Sequence, residues 1–280
     1  MQVDISQKHL KPVLIFLLLF GIFPCRAQYV PIPNAFAHND YWHKRPLYDA
    51  LNNGYMHIEA DIYLRKGKLI VAHILPLFKR TKTLEELYLK PLLETINGTN
   101  KEIKCPVSGL TLMIDIKSDA DKTYLNLCQL LNKYKQILTS YENGQVTTRQ
   151  VTVVLTGHKP YKILSGQTIR YAFIDEDLMK RRHDTLSPGL YQTASCKYSS
   201  VMNWDGNGEI PEQDRQRLLK YVAIAHRCQK KVRLWASPER AEVWRVLLDC
   251  GVDLINTDKL SELKDFLLME QKSYAQSNNR

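Results

Sequence analysis

Short apolar and β-branched runs alternate along the chain with stretches in which apolar residues recur every three or four positions. The runs at 35–38, 57–63, 112–116, 151–155, 170–174, 200–203, 232–235 and 252–255 predict strands, and the stretches at 46–53, 84–96, 122–138, 212–229, 240–250 and 260–269 predict helices. A further short strand is expected at 68–71, folding back onto the second strand through the Lys66-Gly67 turn. Eight strands alternating with helices over about 250 residues is the pattern of an α/β fold of the (β/α)8, TIM-type barrel class. An open doubly wound sheet would carry a glycine-rich loop after its first strand. Here that strand runs into Ala37-His38-Asn39-Asp40, so the barrel is the better reading.

The first 27 residues follow a different pattern. Lys8 and Lys11 precede an unbroken apolar run from Val13 to Phe23, and Cys25-Arg26-Ala27 offers small residues where a signal peptidase cuts. This predicts a signal peptide at 1–27, a single barrel domain at 28–270, a polar tail at 271–280, and a secreted or periplasmic protein. The apolar run is too short to cross about 30 Å of hydrocarbon as a helix. Ile22-Phe23-Pro24 also lacks the small residues that a lipid-modified Cys25 would need ahead of it. No repeat or linker divides the rest.

The full chain carries a net charge of +10, falling to +8 without the leader. Its basic residues are scattered, with no run longer than Lys180-Arg181-Arg182, so a nucleic-acid partner is not expected. A mildly basic surface suits an anionic small substrate such as a phosphate ester or lipid headgroup. Five cysteines follow the leader, Cys105, Cys128, Cys196, Cys228 and Cys250. Their odd number leaves at least one thiol unpaired, and no Cys-x-x-Cys pair suggests a zinc site.

In a parallel barrel the residues at the carboxyl ends of the strands face the active-site mouth. Those ends present His38 and Asn39, then Glu59 and Asp61, His73 just after the hairpin, Asp115 and Lys117, and Trp235. In Ile58-Glu59-Ala60-Asp61-Ile62, residues two apart share a face, so both carboxylates point into the barrel and the isoleucines point outward. Asp115 and Lys117 alternate with Ile114 and Ile116 in the same way. Crowded carboxylates away from water repel and need a cation. Three hard oxygen ligands, Glu59, Asp61 and Asp115, suit one divalent ion, Mg2+ or Ca2+. The competing structural reading is a salt-bridge network closed by Lys117 alone. His38 and His73 would flank a metal-held phosphate as general base and general acid.

Three other arrangements fit the residues less well. Glu59 and Asp61, two apart on one strand, are poorly placed to flank a glycosidic bond. Phe36-Ala37-His38 lacks the His-x-His of a metal-dependent amidohydrolase. The loop from Asn203 to Asp214 resembles a calcium loop but lacks its first Asp and last Glu, and a turn opening the next helix explains it as well.

These residues, with Arg45-Pro46-Leu47, Arg80-Thr81 and Leu87-Tyr88, Val232 to Pro238, and Gly251 to Asp258, resemble the superfamily of glycerophosphodiester phosphodiesterases and phosphatidylinositol-specific phospholipases C. In order and spacing they are most similar to its altered-inheritance-of-mitochondria branch, across nearly all of the chain after the leader. The resemblance implies a barrel that cleaves phosphodiesters with two histidines, matched by His38 and His73, and an acidic metal site, matched by Glu59, Asp61 and Asp115. It also implies a phosphate-facing lysine, matched by Lys117. The diesterases have Arg-Gly after the first histidine, where this chain has Asn39-Asp40, and usually an Asp after the second, where it has Ile74. The function expected is that of an exported metal-dependent phosphodiesterase acting on a glycerophosphodiester or phospholipid headgroup, which in the second case implies peripheral membrane contact. The alternative is a catalytically inactive barrel acting as an envelope binding protein.

Overall fold

The computed structural model describes residues 30–76, 82–103, 105–180 and 189–277. The expected signal peptide at 1–27 lies outside them. In chain order the elements are β1 (Ile32–Ala37), α1 (Tyr48–Asn52), β2 (Tyr55–Arg65), β3 (Lys68–Val71), α2 (Lys90–Ile96), β4 (Leu110–Ile116) and α3 (Ala120–Lys133). Then come β5 (Ser140–Glu142), β6 (Gln145–Thr147), β7 (Val151–Gly157), α4 (Tyr161–Gly166), β8 (Ile169–Arg170), β9 (Phe173–Asp177) and β10 (Tyr191–Lys197). The last described elements are α5 (Glu212–Arg227), β11 (Lys231–Trp235), α6 (Ala241–Asp249), β12 (Leu254–Thr257) and α7 (Leu260–Ser277).

Among the described residues, eight parallel strands form a closed ring in the order β1-β2-β4-β7-β9-β10-β11-β12, sealed by β12 against β1. The (β/α)8 barrel expected from the alternation is therefore the fold. β3 hangs antiparallel on β2, as the Lys66-Gly67 turn predicts. β5, β6 and β8 make a small separate antiparallel sheet.

The interior has two storeys, set by the two-residue period of strand side chains. Phe36, Met113, Val154, Phe173 and Leu254 form a fully buried floor. Two residues further along each of these chain segments stand His38, Asp115, Thr156, Asp175 and Asn256. On the outer face, Ile58, Ile62, Ile114 and Ile116 join the larger core with Leu51, Tyr88 and Leu127. A dry floor below a polar storey stabilises the ring while leaving its carboxyl-end mouth for chemistry.

Two strand predictions need correction. The segment expected at 200–203 is not a strand: Tyr198–Ser200 form a 3-10 turn and β10 lies upstream. Tyr191–Lys197 escapes the hydrophobic pattern because its buried positions include Thr193 and Ser195, whereas Val201 and Met202 are apolar but bury in a turn. The segment expected at 170–174 splits, with Arg170 in the outer sheet and the barrel strand running from Phe173 to Asp177. The helix expected at 84–96 begins with a wide π-turn over Glu85–Leu89, ahead of Pro91, whose missing N–H cannot continue the usual ladder. The last helix continues past 269 to Ser277.

The loop after β1 is anchored by Asp40, which is completely buried. Its Oδ2 accepts the Leu47 backbone N–H at 2.6 Å and the Tyr88 hydroxyl at 2.9 Å. Oδ1 has no partner among the described residues. Burial pushes this carboxyl up to about 7 from 3.8, against the opposing pull of the two hydrogen bonds. Because the folded chain holds the proton more tightly than the unfolded one, the stability from Asp40 is full below 3.8 and is lost as pH rises through about 7. Melting temperatures of wild type and Asp40→Asn at pH 5 and pH 8 test this. The variant should gain on wild type at pH 8, whereas a pH-independent difference means that Asp40 does not titrate within the fold.

Candidate active site

Glu59 and Asp61 project from β2 into the barrel and are nearly inaccessible, at 3% and 2% exposure. The register of β2 and β4 sets Asp61 directly opposite Asp115. One oxygen from each of the three carboxylates falls within 4.8 Å of the others. Lys117 Nζ lies 2.8 Å from Asp115 Oδ2 and 3.1 Å from Asp61 Oδ2, and Arg233 Nη1 lies 3.0 Å from Glu59 Oε2. Burial, with Asp115 adding to it, holds the Asp61 carboxyl above the usual range, opposed by Lys117. Burial pulls the Lys117 ammonium down, but the hydrogen bond and charge of Asp115 outweigh it and hold the ammonium above its ordinary value.

The carboxylates thus carry two cations of the chain, Lys117 and Arg233, rather than Lys117 alone. The trio still fits a divalent ion. Asp115 Oδ1 is buried with no hydrogen-bond partner among the described residues, and the trio offers three hard carboxylate ligands. The backbone makes room for that oxygen. Gly157, at the end of β7 with φ +70°, lies so close that a Cβ would stand 2.0 Å from Asp115 Oδ1 and 2.7 Å from the Ile116 carbonyl oxygen.

The two histidines reach the same mouth from different strands. His38 follows β1, its N–H donating to the Thr257 carbonyl at 3.0 Å. Its Nδ1 lies 2.7 Å from Asp258 Oδ1, and its Nε2 is 3.9 Å from Glu59 Oε2. The Asp258 carboxylate is the natural partner of an Nδ1–H, the tautomer that has its lone pair on Nε2; Asn39 Nδ2 lies 2.9 Å from Nδ1 and 3.4 Å from Asp258 Oδ1. Burial lowers the His38 pKa, but the Asp258 hydrogen bond and the charges of Glu59 and Asp258 outweigh it, so it sits above 6.5. His73 Nδ1 lies 3.1 Å from Asp61 Oδ2 and 3.2 Å from the Tyr41 hydroxyl, with the Trp42 ring edge-on at 5.1 Å. Tyr41 donates to Asn39 Oδ1 at 2.7 Å, so Asn39 and Tyr41 connect the two histidines.

Every expected site residue therefore reaches the carboxyl ends of the strands, and seven of the eight are brought into polar contact with one another: His38, Asn39, Glu59, Asp61, His73, Asp115 and Lys117. Trp235, at the end of β11, stands apart at 40% exposure with Lys197 Nζ 6.0 Å from its ring. His158 is exposed and bonds the Ser118 carbonyl at 2.9 Å, pinning a loop. His57 is buried and neutral, its pKa pushed down to about 3 by burial and the charge of Lys231.

Sequence reasoning missed Arg233, Asp258, Tyr41 and Asp175. Asp258 sits one residue past β12, beyond the expected end of that strand, and Asp175 follows the expected end of its own. Arg233 carried a readable signal: it lies two residues before Trp235 and so shares its face. The loop resembling a calcium site is a set of turns. Asp205 accepts the Asn207 N–H, Asp214 accepts the Asn203 N–H, and helix α5 follows. Cys196 and Cys250 are buried thiols and Cys228 is exposed.

Replacing Gly157 with Ala should displace the Asp115 carboxylate and force a residue with a Cβ into the left-handed region. We expect a loss of about 1–3 kcal/mol in urea unfolding and a divalent-ion affinity reduced by at least about tenfold. Unchanged ion binding in titration calorimetry would show that Asp115 is not seated against Gly157 as a ligand.

The chain is similar to known proteins over most of its length. Over 268 residues the chain is 29% identical to an altered inheritance of mitochondria protein 6 homolog of Arthroderma benhamiae, covering 85% of this chain and 84% of that protein. It is also 29% identical to altered inheritance of mitochondria protein 6 of Lachancea thermotolerans, over 83% of this chain and 65% of that one. A solved glycerophosphodiester phosphodiesterase of Parabacteroides distasonis shares the fold, with a TM-score of 0.55 at 15% identity, over 85% of this chain and 98% of its own. Residues 25–175 match the family described as the AIM6-like phosphodiesterase domain, and the chain belongs to that family.

Proposed function

We propose that the protein is an exported, divalent-metal-dependent phosphodiesterase that hydrolyses a phosphodiester of the glycerophosphodiester or phospholipid-headgroup type. The observation that carries this reading is the pairing of His38 with Glu59 and of His73 with Asp61, two buried members of one carboxylate trio. The leader pattern at 1–27 supports export, and the basic chain supports an anionic substrate.

Glu59, Asp61 and Asp115 would hold the ion. When bound, it supplies charge neutralisation at a non-bridging phosphate oxygen. Asp258 fixes the His38 ring with its Nδ1–H engaged, so Nε2 can take the proton from the attacking hydroxyl. His73, about half exposed at the mouth, protonates the leaving oxygen. Where the attacker is a hydroxyl of the substrate itself, a cyclic phosphate forms first. Lys117 offsets phosphate charge, Asn39 holds the His38 side of the pocket, and Trp235 offers an apolar face for the rest of the substrate.

A second reading has its own observation. Because Lys117 and Arg233 already pair with the trio, a catalytically inactive barrel could keep the cluster as a salt-bridge network and serve as an envelope binding protein. The two readings rank the same mutants oppositely.

Under the enzymatic reading, His38→Ala slows hydrolysis of a chromogenic phosphodiester by roughly 10²–10⁴-fold while folding and ion binding stay near wild type. Asp258→Asn slows it by a smaller factor. Asp61→Ala weakens ion binding and stability together, and added metal restores part of each. Under the binding-protein reading, Asp61→Ala harms folding without metal dependence and His38→Ala does little. A purified protein without bound metal, whose hydrolysis of the diester ignores chelator, would remove metal-dependent catalysis from consideration.

A further inference from the structure

The three carboxylates share a feature that bears on which ion they would take. Each has one oxygen in contact with a nitrogen of the chain: Glu59 Oε2 with Arg233, Asp61 Oδ2 with Lys117 and His73, and Asp115 Oδ2 with Lys117. Of the remaining oxygens, Asp115 Oδ1 is buried with no described partner.

The two caps differ in rigidity. Lys117 is a flexible stem at 27% side-chain exposure. Arg233 is buried at 3% and gripped on several sides. Its Nη1 also donates to Asn256 Oδ1 at 3.1 Å, its Nε donates to Ser195 Oγ at 3.4 Å, and its guanidinium carbon lies 4.4 Å from the Phe36 ring centre. Ser195 is anchored in turn, donating to Asp175 Oδ1 at 2.8 Å. Asp175 also accepts from Thr193 at 2.5 Å and from Thr156 at 3.2 Å. Moving Arg233 would leave a buried charge unpaired, which is strongly unfavourable. A cation that also took Glu59 Oε2 would therefore compete with a guanidinium that cannot readily move away.

We propose that Arg233, held by the Ser195–Asp175 relay, is the positioning residue that makes the site select a small octahedral ion of the Mg2+ class over Ca2+. The inference rests on the reading of Glu59, Asp61 and Asp115 as a metal site. Mg2+ requires near-octahedral geometry from single oxygens and keeps several waters. Ca2+ takes six to eight oxygens and gains from a carboxylate that chelates through both. A trio capped to one oxygen each supplies what the smaller ion needs and withholds what the larger one gains from. Arg233 also removes one unit of negative charge, which weakens both ions, so the ratio of affinities separates denticity from charge.

Titration calorimetry of the purified chain with MgCl2 and with CaCl2 tests this on wild type, Arg233→Met, Arg233→Lys and Ser195→Ala. Wild type should bind Mg2+ at least as tightly as Ca2+. Arg233→Met should tighten both ions but shift the ratio toward Ca2+ by at least about tenfold, and Arg233→Lys should restore part of the wild-type ratio. Ser195→Ala keeps every charge and is the milder change should Arg233→Met fail to fold. It should shift the ratio in the same direction by about threefold. A wild type that prefers Ca2+, or variants that leave the ratio unchanged while both ions still bind, overturns the role of Arg233 and leaves the metal reading standing. A wild type that binds neither ion overturns both.

Discussion

Three carboxylates held within 4.8 Å of one another inside a barrel repel, and the dry surroundings of Glu59 and Asp61 make that repulsion costly. Much of the surrounding polar storey answers this constraint. Lys117 spans Asp61 and Asp115, Arg233 covers Glu59, and Gly157 leaves out the side chain that would collide with Asp115. Lys117 and Arg233 thus offset part of the negative charge of the cluster, and they decide which of its oxygens are already engaged.

The two storeys divide stability from chemistry. The floor of Phe36, Met113, Val154, Phe173 and Leu254 buries apolar surface and asks for no partners. Above it, polar groups appear in sets: Asp175 with Thr193, Ser195 and Thr156, Arg233 with Glu59 and Asn256, His38 with Asp258. A buried polar group without partners is expensive, so such a storey holds only when its members satisfy one another. Phe36 belongs to both levels, since its ring also supports the Arg233 guanidinium from below. The chain thereby couples the packing of its core to the seating of Glu59.

Much of this was legible in the sequence. The alternation of strands and helices announces a barrel, and period-two patterning sends Glu59, Asp61 and Asp115 inward while Ile58, Ile62, Ile114 and Ile116 pack outward. Legibility failed where a strand carries polar residues on its buried positions. Tyr191–Lys197 looks like a loop because Thr193 and Ser195 serve Asp175, and the apolar Val201 and Met202 imitate a strand while packing in a turn. Strand ends misjudged by a few residues hid Asp175 and Asp258, because the rule that finds site residues depends on where each strand stops.

By itself the sequence determined which residues share a face, since on a strand that is a local property of backbone geometry, independent of the rest of the chain. It therefore sent the acidic trio and Lys117 inward, while both histidines were read from where the strands end. What only the tertiary structure decided is which of these meet, and through which atoms. The register of β2 against β4 places Asp61 opposite Asp115, and closure of β12 onto β1 brings Asp258 to His38 across 220 residues. The same closure sets Arg233 on Glu59 across 174 residues. Such pairings follow from the closure and register of the whole ring, to which every strand contributes, and no local pattern in the chain encodes them.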